Sequence, residues 1–581
     1  MRLPDLPPAI TARVVPVGYS HIALLLYGYD DTAVTKRISG WRRSDPDFPS
    51  ALSSGRSPTF DVTDIWQWLG RRSRSTDGRI QNSLRDMARL QPNASGATAE
   101  RHWLLTGLAL RYESGDLEAR HWMTALAALR SLAADPHRRL PPSLAAHLPD
   151  HAASQRLMAT AADATVSTKA FAHQLAQALP PQPAVRLGAH SDVPNPLIPL
   201  ADVSVPDDLR ALAAQSVMEL SMAQLATATR LTLTSDEGSL SSHLDTTGTS
   251  PEATAFIIGL IDRLAETLGS TWSTAYDPAC GEGHLLAALA SAREGRPWTV
   301  YGQDADAEAL QVAAARLLTT APSFDVCLTD DTLEHDRFGD LRVDVVVADP
   351  PQPTRRQRIH EHMDAWWLHI QSKLADEQSM AFVLTSDQPQ AQPGDQVLTA
   401  GHVLAVVETG QRLRRDTPGR SVLWVLSGRR VGRAVHVIAP RDSSAEYQWP
   451  GTLARYLPGI IASTLAGGAI DPGDPRSLDV ALVATDDPDQ LRPARASRLS
   501  PGRSHEAEPD HFSDVASQDH RAVAVGRQAK AVGSERSFPA LRKQLLDAVN
   551  QLPDDEREFE ILALVEQLEE IRAENRARDR G

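Results

Sequence analysis

The residues of this chain best suited to chemistry lie between positions 249 and 352. Ser273-Thr-Ala-Tyr-Asp277-Pro278-Ala279-Cys280-Gly281-Glu282-Gly283 reads as a short strand and a glycine turn, opening the helical run His284-Leu285-Leu286-Ala287-Ala288-Leu289. Gly281 and Gly283 let the backbone turn sharply and approach a ligand where a Cβ would collide. Asp277 is placed to accept from an ammonium group. Thr299-Val-Tyr-Gly-Gln-Asp304 reads as a second strand ending in an acid, 27 positions beyond Asp277. An acid near this spacing is the usual partner of ribose hydroxyls in nucleotide-binding α/β folds. A third acidic turn follows at Asp330-Asp331, and the β-branched run Val343–Ala348 ends in Asp349-Pro350-Pro351-Gln352. Ligands of open α/β sheets bind beyond the carboxyl ends of the strands, so these four turns are expected to line one crevice.

The elements that must position them are legible as an alternation of apolar runs and amphipathic helices over 207–440, the pattern of an α/β domain with a mostly parallel, doubly wound sheet. Upstream, 1–75 is compact and locally basic. The stretch 76–178 is helical, with Trp122, Leu126, Leu129 and Leu132 on one face. A proline-rich linker occupies 179–206, where helix and central strand are both disfavoured. Beyond the α/β region, 441–535 is poorly defined and partly disordered, and 536–581 closes the chain as helix. There, Ile561, Leu564, Leu568 and Ile571 follow an a/d spacing that fits either a helix docked on its own domain or the seam of a homodimer.

A chain of 581 residues exceeds one compact core. It has no run of about 18 apolar residues and no amino-terminal apolar segment, so neither a membrane span nor a secretory signal is expected. Cys280 and Cys327 are the only cysteines, which excludes a disulfide framework and a multi-cysteine zinc site. The expected compartment is the cytoplasm. His360, Glu361, His362 and His369 lack the spacing of a metal motif and read as a solvated helix face, so no metal is expected. The formal net charge of −15 argues against a surface given over wholly to phosphate binding and confines any such role to a local basic face.

Asp277-Pro-Ala-Cys-Gly-Glu-Gly283 resembles motif I of the N6-adenine DNA methylases, particularly the modification subunits of type I restriction systems. Gly248-Thr249-Ser-Pro-Glu252 resembles that family's Thr-Pro segment, and Asp349-Pro350-Pro351 its catalytic motif, in the same chain order. Gly401–Val407 and Ser421–Leu426 resemble the paired strands that end its catalytic domain. The resemblance implies a Rossmann-like class I methyltransferase fold and S-adenosylmethionine as cofactor. It implies that Thr249 packs over the cofactor, that Asp277, Pro278, Ala279, Gly281 and Gly283 hold the methionine part, that Asp304 holds the ribose, and that Asp331 holds the adenine. In this family the first catalytic residue and the first proline's carbonyl accept the amino hydrogens of a flipped adenine, and an aromatic residue stacks on the base. Asp349 and Pro350 fit; Gln352 stands where the aromatic belongs. Stacking is worth about 1–3 kcal/mol, so the loss is a handicap that Trp366 or Trp367 would have to offset, unless they are core. Three functions therefore remain open: adenine-N6 methylation of DNA within a restriction-modification or defence system, a catalytically degenerate DNA-binding regulator, or methylation of RNA or protein, since Asp-Pro-Pro sites are not confined to DNA enzymes.

Residues 20–70 resemble the winged helix-turn-helix of the excisionase and MerR-like type. Ser20–Leu26 forms a first helix, Asp31–Arg43 a second that ends in Trp41-Arg42-Arg43, and Pro58–Asp61 with Ile65–Leu69 the wing and closing helix. The resemblance implies DNA contacts by Lys36, Arg37, Trp41, Arg42 and Arg43. The expected partners are DNA, a specificity or restriction subunit, and a second copy of the chain.

Overall fold

The computed structural model describes residues 5–27, 32–53, 58–72, 94–179, 193–227, 249–291, 297–329, 331–351, 359–386, 392–393, 398–408, 421–431, 434–438, 449–465 and 481–485. The chain divides into two units, 1–493 and 494–581, and every described residue lies in the first. The a/d pattern at 561–571 is outside the described residues.

The amino-terminal residues form the expected elements: helices α1 (Tyr19–Tyr27), α2 (Thr32–Ser44) and α3 (Val62–Arg72), with strands β1 (Pro16–Val17) and β2 (Phe60–Asp61) paired antiparallel. Its core is aromatic. Trp41 lies 5.8 Å from Trp68, and Phe48 sits edge-on to both Trp68 and Phe60. Asp45 closes it, accepting from the Trp68 indole at 3.1 Å.

Helices α4 (Ala94–Ser114), α5 (Asp116–Ala134), α6 (His151–Ala162) and α7 (Thr168–Ala178) make the helical region. Asp150 and Ser167 cap α6 and α7 by accepting from the third residue on, the geometry that satisfies an orphan N–H. Trp122, Leu126, Leu129 and Leu132 are buried together as their spacing requires. Two boundaries differ from the sequence reading. Residues 193–206 are packed rather than a linker: Leu197 and Leu200 are buried, and Asn195 donates to the His147 carbonyl. Helix α8 (Asp207–Glu219) packs on α4 and α6, where Arg210 donates to the Thr160 and Asp163 carbonyls, so 207–219 belongs to the helical region and not to the sheet domain.

The sheet has nine strands in the order β11-β10-β8-β9-β7-β6-β3-β4-β5. They are β3 (Thr274–Asp277), β4 (Thr299–Asp304), β5 (Ser323–Leu328), β6 (Val345–Ala348), β7 (Met380–Ser386), β8 (Val403–Glu408), β9 (Ser421–Ser427), β10 (Ala434–Ile438) and β11 (Ala481–Thr485). Strands β3 to β7 run parallel, and β9 inserts antiparallel between β7 and β8. Alternate residues face alternate layers: Val345 and Val347 enter one core, Val346 and Ala348 the other. Helices α9 (Pro251–Leu268), α10 (His284–Ser291) and α11 (Ala307–Thr320) supply the first layer, and α12 (Ile359–Ser372) the second. The sheet extends further than expected. Helix α13 (Trp449–Leu465) packs on α9, and β11 adds a ninth strand, so part of 441–535 is ordered. Among the described residues no helix is long and apolar enough to cross a membrane.

Chain order β3, β4, β5 moves outward on one side, then returns past β3 to β6 on the other. The switch point is therefore between β3 and β6, where a crevice opens at the carboxyl ends.

Candidate functional site

The glycine turn hangs from the end of β3. Asp277 is buried, and its Oδ1 accepts from the Ala279 amide at 3.1 Å, which pins Pro278 and Ala279. The Cys280 amide donates to the Gln303 carbonyl at 3.1 Å and the Gly283 amide to the Cys280 carbonyl at 2.7 Å. Gly281 and Gly283 both have left-handed backbones, φ +49° and +73°. Their reasons differ. A Cβ on Gly283 would stand 3.0 Å from the Ala313 Cβ, so this glycine admits α11. A Cβ on Gly281 would meet nothing within 4 Å and would project into open space.

Asp304, at the end of β4, uses both carboxylate oxygens to hold backbone: Oδ2 accepts from the Gly281 amide at 2.7 Å and Oδ1 from the Asp306 amide at 2.9 Å. Its nearest work is thus to buttress the turn. The third turn is tied in by two threonines that the sequence reading passed over. Thr332 donates to the Pro278 carbonyl at 2.8 Å, and the Thr329 amide donates to the Asp304 carbonyl. Asp331 is half-buried, with Oδ1 accepting from the Leu333 amide. A threonine in a loop carries no sequence signal for such a tie.

The fourth turn brings Asp349 and Pro350 to the end of β6, with Pro350 buried and Pro351 exposed; Gln352 lies outside the described residues. Thr249 reaches this turn directly, its Oγ1 donating to Asp349 Oδ2 at 2.9 Å. Its position follows from its neighbours: Ser250 caps α9, accepting from the Ala253 amide at 3.1 Å, and Pro251 supplies the first helical residue. The expected cofactor residue Thr249 and catalytic residue Asp349 are therefore one hydrogen-bonded pair. Trp366 and Trp367 are core, 4% and 1% exposed, the latter edge-on to Trp424 at 5.4 Å. Neither is placed to stack on a base.

The electrostatics of the crevice are those of a cation site. Burial pushes the Asp277 carboxyl well above its ordinary value, and the charges of Asp304 and Asp349 push it further. Burial raises Asp304 as well. A ligand bearing positive charge would relieve this repulsion. With the open space at Gly281, the buried carboxyl of Asp277 and the acids of two further turns, the residues present fit a nucleoside carrying ammonium and sulfonium groups.

In the amino-terminal module Trp41 is buried, which corrects its expected place at a DNA surface: the indole builds the core. Arg42 and Arg43 are exposed at the end of α2, with Arg42 5.7 Å from the Phe60 ring centre. The side chains of Lys36 and Arg37 are outside the described set.

Residues 255–426 match the family model described as N-6 DNA Methylase. The methylase subunit of the type I restriction enzyme MjaIX of Methanocaldococcus jannaschii is 33% identical over 97 residues, which is 16% of this chain and 17% of that relative's length. Among solved structures, a chain from a type I restriction-modification complex aligns with TM-score 0.47 and 15% identity, covering 77% of this chain and 100% of its own. The type I restriction-modification methyltransferase subunit from Streptococcus thermophilus aligns with TM-score 0.43 and 13% identity, covering 65% and 94%. The matched segment, from α9 through β9, is thus similar to the N-6 DNA methylase family, and the chain spans about a sixth of the length of the curated relative it matches.

Proposed function

We propose that this chain transfers a methyl group to adenine N6 in DNA, as the modification component of a restriction-modification system. One observation carries the reading: the topological switch point sets the buried Asp277 and its glycine turn beside the Asp349-Pro350 turn, where Thr249, just ahead of α9, donates to Asp349. S-adenosylmethionine supplies an electrophilic methyl group when bound. Asp277, Pro278, Ala279, Gly281 and Gly283 hold its methionine part, the glycine turn that Asp304 buttresses holds its ribose side, and Asp331 holds its adenine.

At the other end of the crevice the Asp349 carboxylate accepts one hydrogen of a target amino group and the Pro350 carbonyl accepts the second. With both hydrogens accepted by Asp349 and Pro350, the nitrogen lone pair would be freed to act as a nucleophile, so that positioning by these two residues would supply much of the rate. The target base must leave the duplex to reach this depth. The amino-terminal module, read as a winged helix-turn-helix, presents Lys36, Arg37, Arg42 and Arg43 to the DNA backbone, and a separate specificity subunit supplies sequence recognition.

A second reading is favoured by one observation. Gln352 replaces the stacking aromatic, and the two nearby tryptophans are committed to the core. In that reading the domain binds its cofactor without transferring methyl and serves as a DNA-bound regulator. Incubation with labelled S-adenosylmethionine and unmethylated genomic DNA, followed by nucleoside analysis, separates them. Labelled N6-methyladenine is the expected result. Label in another nucleoside, or none with the cofactor demonstrably bound, would overturn it.

A further inference from the structure

The glycine turn is held from outside the methylase domain. Glu282, between the two left-handed glycines, points away from the crevice toward the helical region. Its carboxylate lies 3.6 Å from the Arg120 guanidinium of α5 and 3.4 Å from that of Arg316 on α11. Arg316 also donates to the Glu282 carbonyl at 2.8 Å, gripping the backbone of the turn itself. All three side chains are largely buried, Arg120 at 7%, Arg316 at 6% and Glu282 at 19% exposed. His284 adds its Nε2 at 3.4 Å, and burial beside the arginines lowers its pKa to about 4, so the imidazole is neutral at pH 7. Against the cost of burial, the hydrogen bond from His284 and then the guanidinium charges hold Glu282 far below the usual carboxylate range. A buried carboxylate shared by two arginines is costly to leave half-paired, so its geometry is stiff.

We propose that Arg120, a residue outside the family-matched segment, is a positioning residue for the cofactor turn, acting through Glu282 so that docking of the helical region and binding of S-adenosylmethionine are coupled. This rests on the reading of the turn as the cofactor site. The two regions also meet at the carboxyl end of α11: Ser131 donates to the Leu318 carbonyl at 2.6 Å, and the Arg138 guanidinium donates to the Ala321 carbonyl at 2.7 Å. The Arg120–Glu282 contact differs from these in that it ends on the turn itself, at the residue between the two left-handed glycines. Coupling of this kind is reciprocal: what strengthens docking tightens the cofactor, and the cofactor in turn steadies the docked region.

The test compares the full-length chain with Arg120→Met, Arg120→Lys and Ser131→Ala by S-adenosylmethionine titration calorimetry and by hydrogen exchange at residues 281–284. Arg120→Met keeps the length of the side chain and removes its charge. It should weaken the cofactor about fivefold or more, the lower end of ordinary coupling, and speed exchange at the turn. Arg120→Lys should restore most of both, and Ser131→Ala, which loosens the same interface away from the turn, should leave both near wild type. Unchanged binding and exchange in Arg120→Met would overturn the proposal, as would an equal loss in Ser131→Ala. If the wild-type chain failed to bind S-adenosylmethionine, the cofactor reading would fall, and the exchange comparison alone would still decide whether Arg120 holds the turn.

Discussion

At the scale of single residues, the two turn glycines make separable predictions. Gly283→Ala combines a left-handed backbone with a close approach to Ala313, and should destabilise the chain by about 1–3 kcal/mol in urea unfolding. Gly281→Ala meets no neighbour, so beyond the left-handed strain its effect should fall on cofactor affinity, because its methyl occupies the crevice. Asp277 gives a pH prediction. Burial raises its pKa, so below that pKa it is protonated and offers no charge to an ammonium group. Cofactor affinity should therefore fall as pH is lowered through the raised value. Where Asp277 starts protonated, binding should release a proton, measurable by calorimetry in buffers of different ionisation enthalpy; Asp277→Asn should abolish the release. Residue types and spacing exposed Asp277, Asp304 and Asp349 because acids at strand ends have few other uses. They did not expose Thr249 as the partner of Asp349, which lies 100 residues on, or Glu282 as the seat of two arginines, one 34 residues away and the other in a different region of the chain.

Elements were legible in proportion to how locally they are determined. Helix α9 carries its own start in Ser250-Pro251 and its own stop in Gly269, φ +65°, so its limits can be read from neighbours. Ser250→Ala should cost about 1 kcal/mol in thermal or urea unfolding, and should also lower methyl transfer, because the cap sets where Thr249 meets Asp349. The parallel strands β3 to β6 were read from β-branched runs ending in acids. Strands β10 and β11 were missed because Ala434–Ile438 and Ala481–Thr485 are short, stand among arginines and prolines, and owe their existence to pairing with β8 and with each other. Residues 193–206 were misread for the converse reason. Proline bars regular structure without barring burial, and Leu197 and Leu200 are fully buried there. The cluster around Glu282 has its own pH signature. Because the folded Glu282 resists protonation and the folded His284 has a pKa of about 4, the unfolded chain binds more protons as pH falls through the ordinary range of each. Stability should decline from about pH 6.5 to 4 through His284 and, below about pH 4.5, through Glu282 as well; Glu282→Gln should remove the second part of that decline.

At the scale of the whole molecule, the amino-terminal elements pack on the helical region, and the helical region packs on the sheet domain. Arg13 bridges Glu113 at 2.5 Å and Asp208, and Arg101 donates to the Leu25 carbonyl while lying over Trp66. The winged-helix reading makes these elements the DNA-facing end of an otherwise acidic chain. Arg42→Ala with Arg43→Ala should then weaken DNA binding at low salt and reduce the slope of log affinity against log salt by up to about 2; an unchanged slope would leave these arginines without phosphate contacts. The central claim is that the crevice at the switch point between β3 and β6 holds S-adenosylmethionine. Titration calorimetry of the wild-type chain against Asp277→Ala tests it most directly. One site per chain, lost or severely weakened in Asp277→Ala while the variant still unfolds cooperatively, is the predicted result; no binding by the wild type, or equal binding by both, would contradict it.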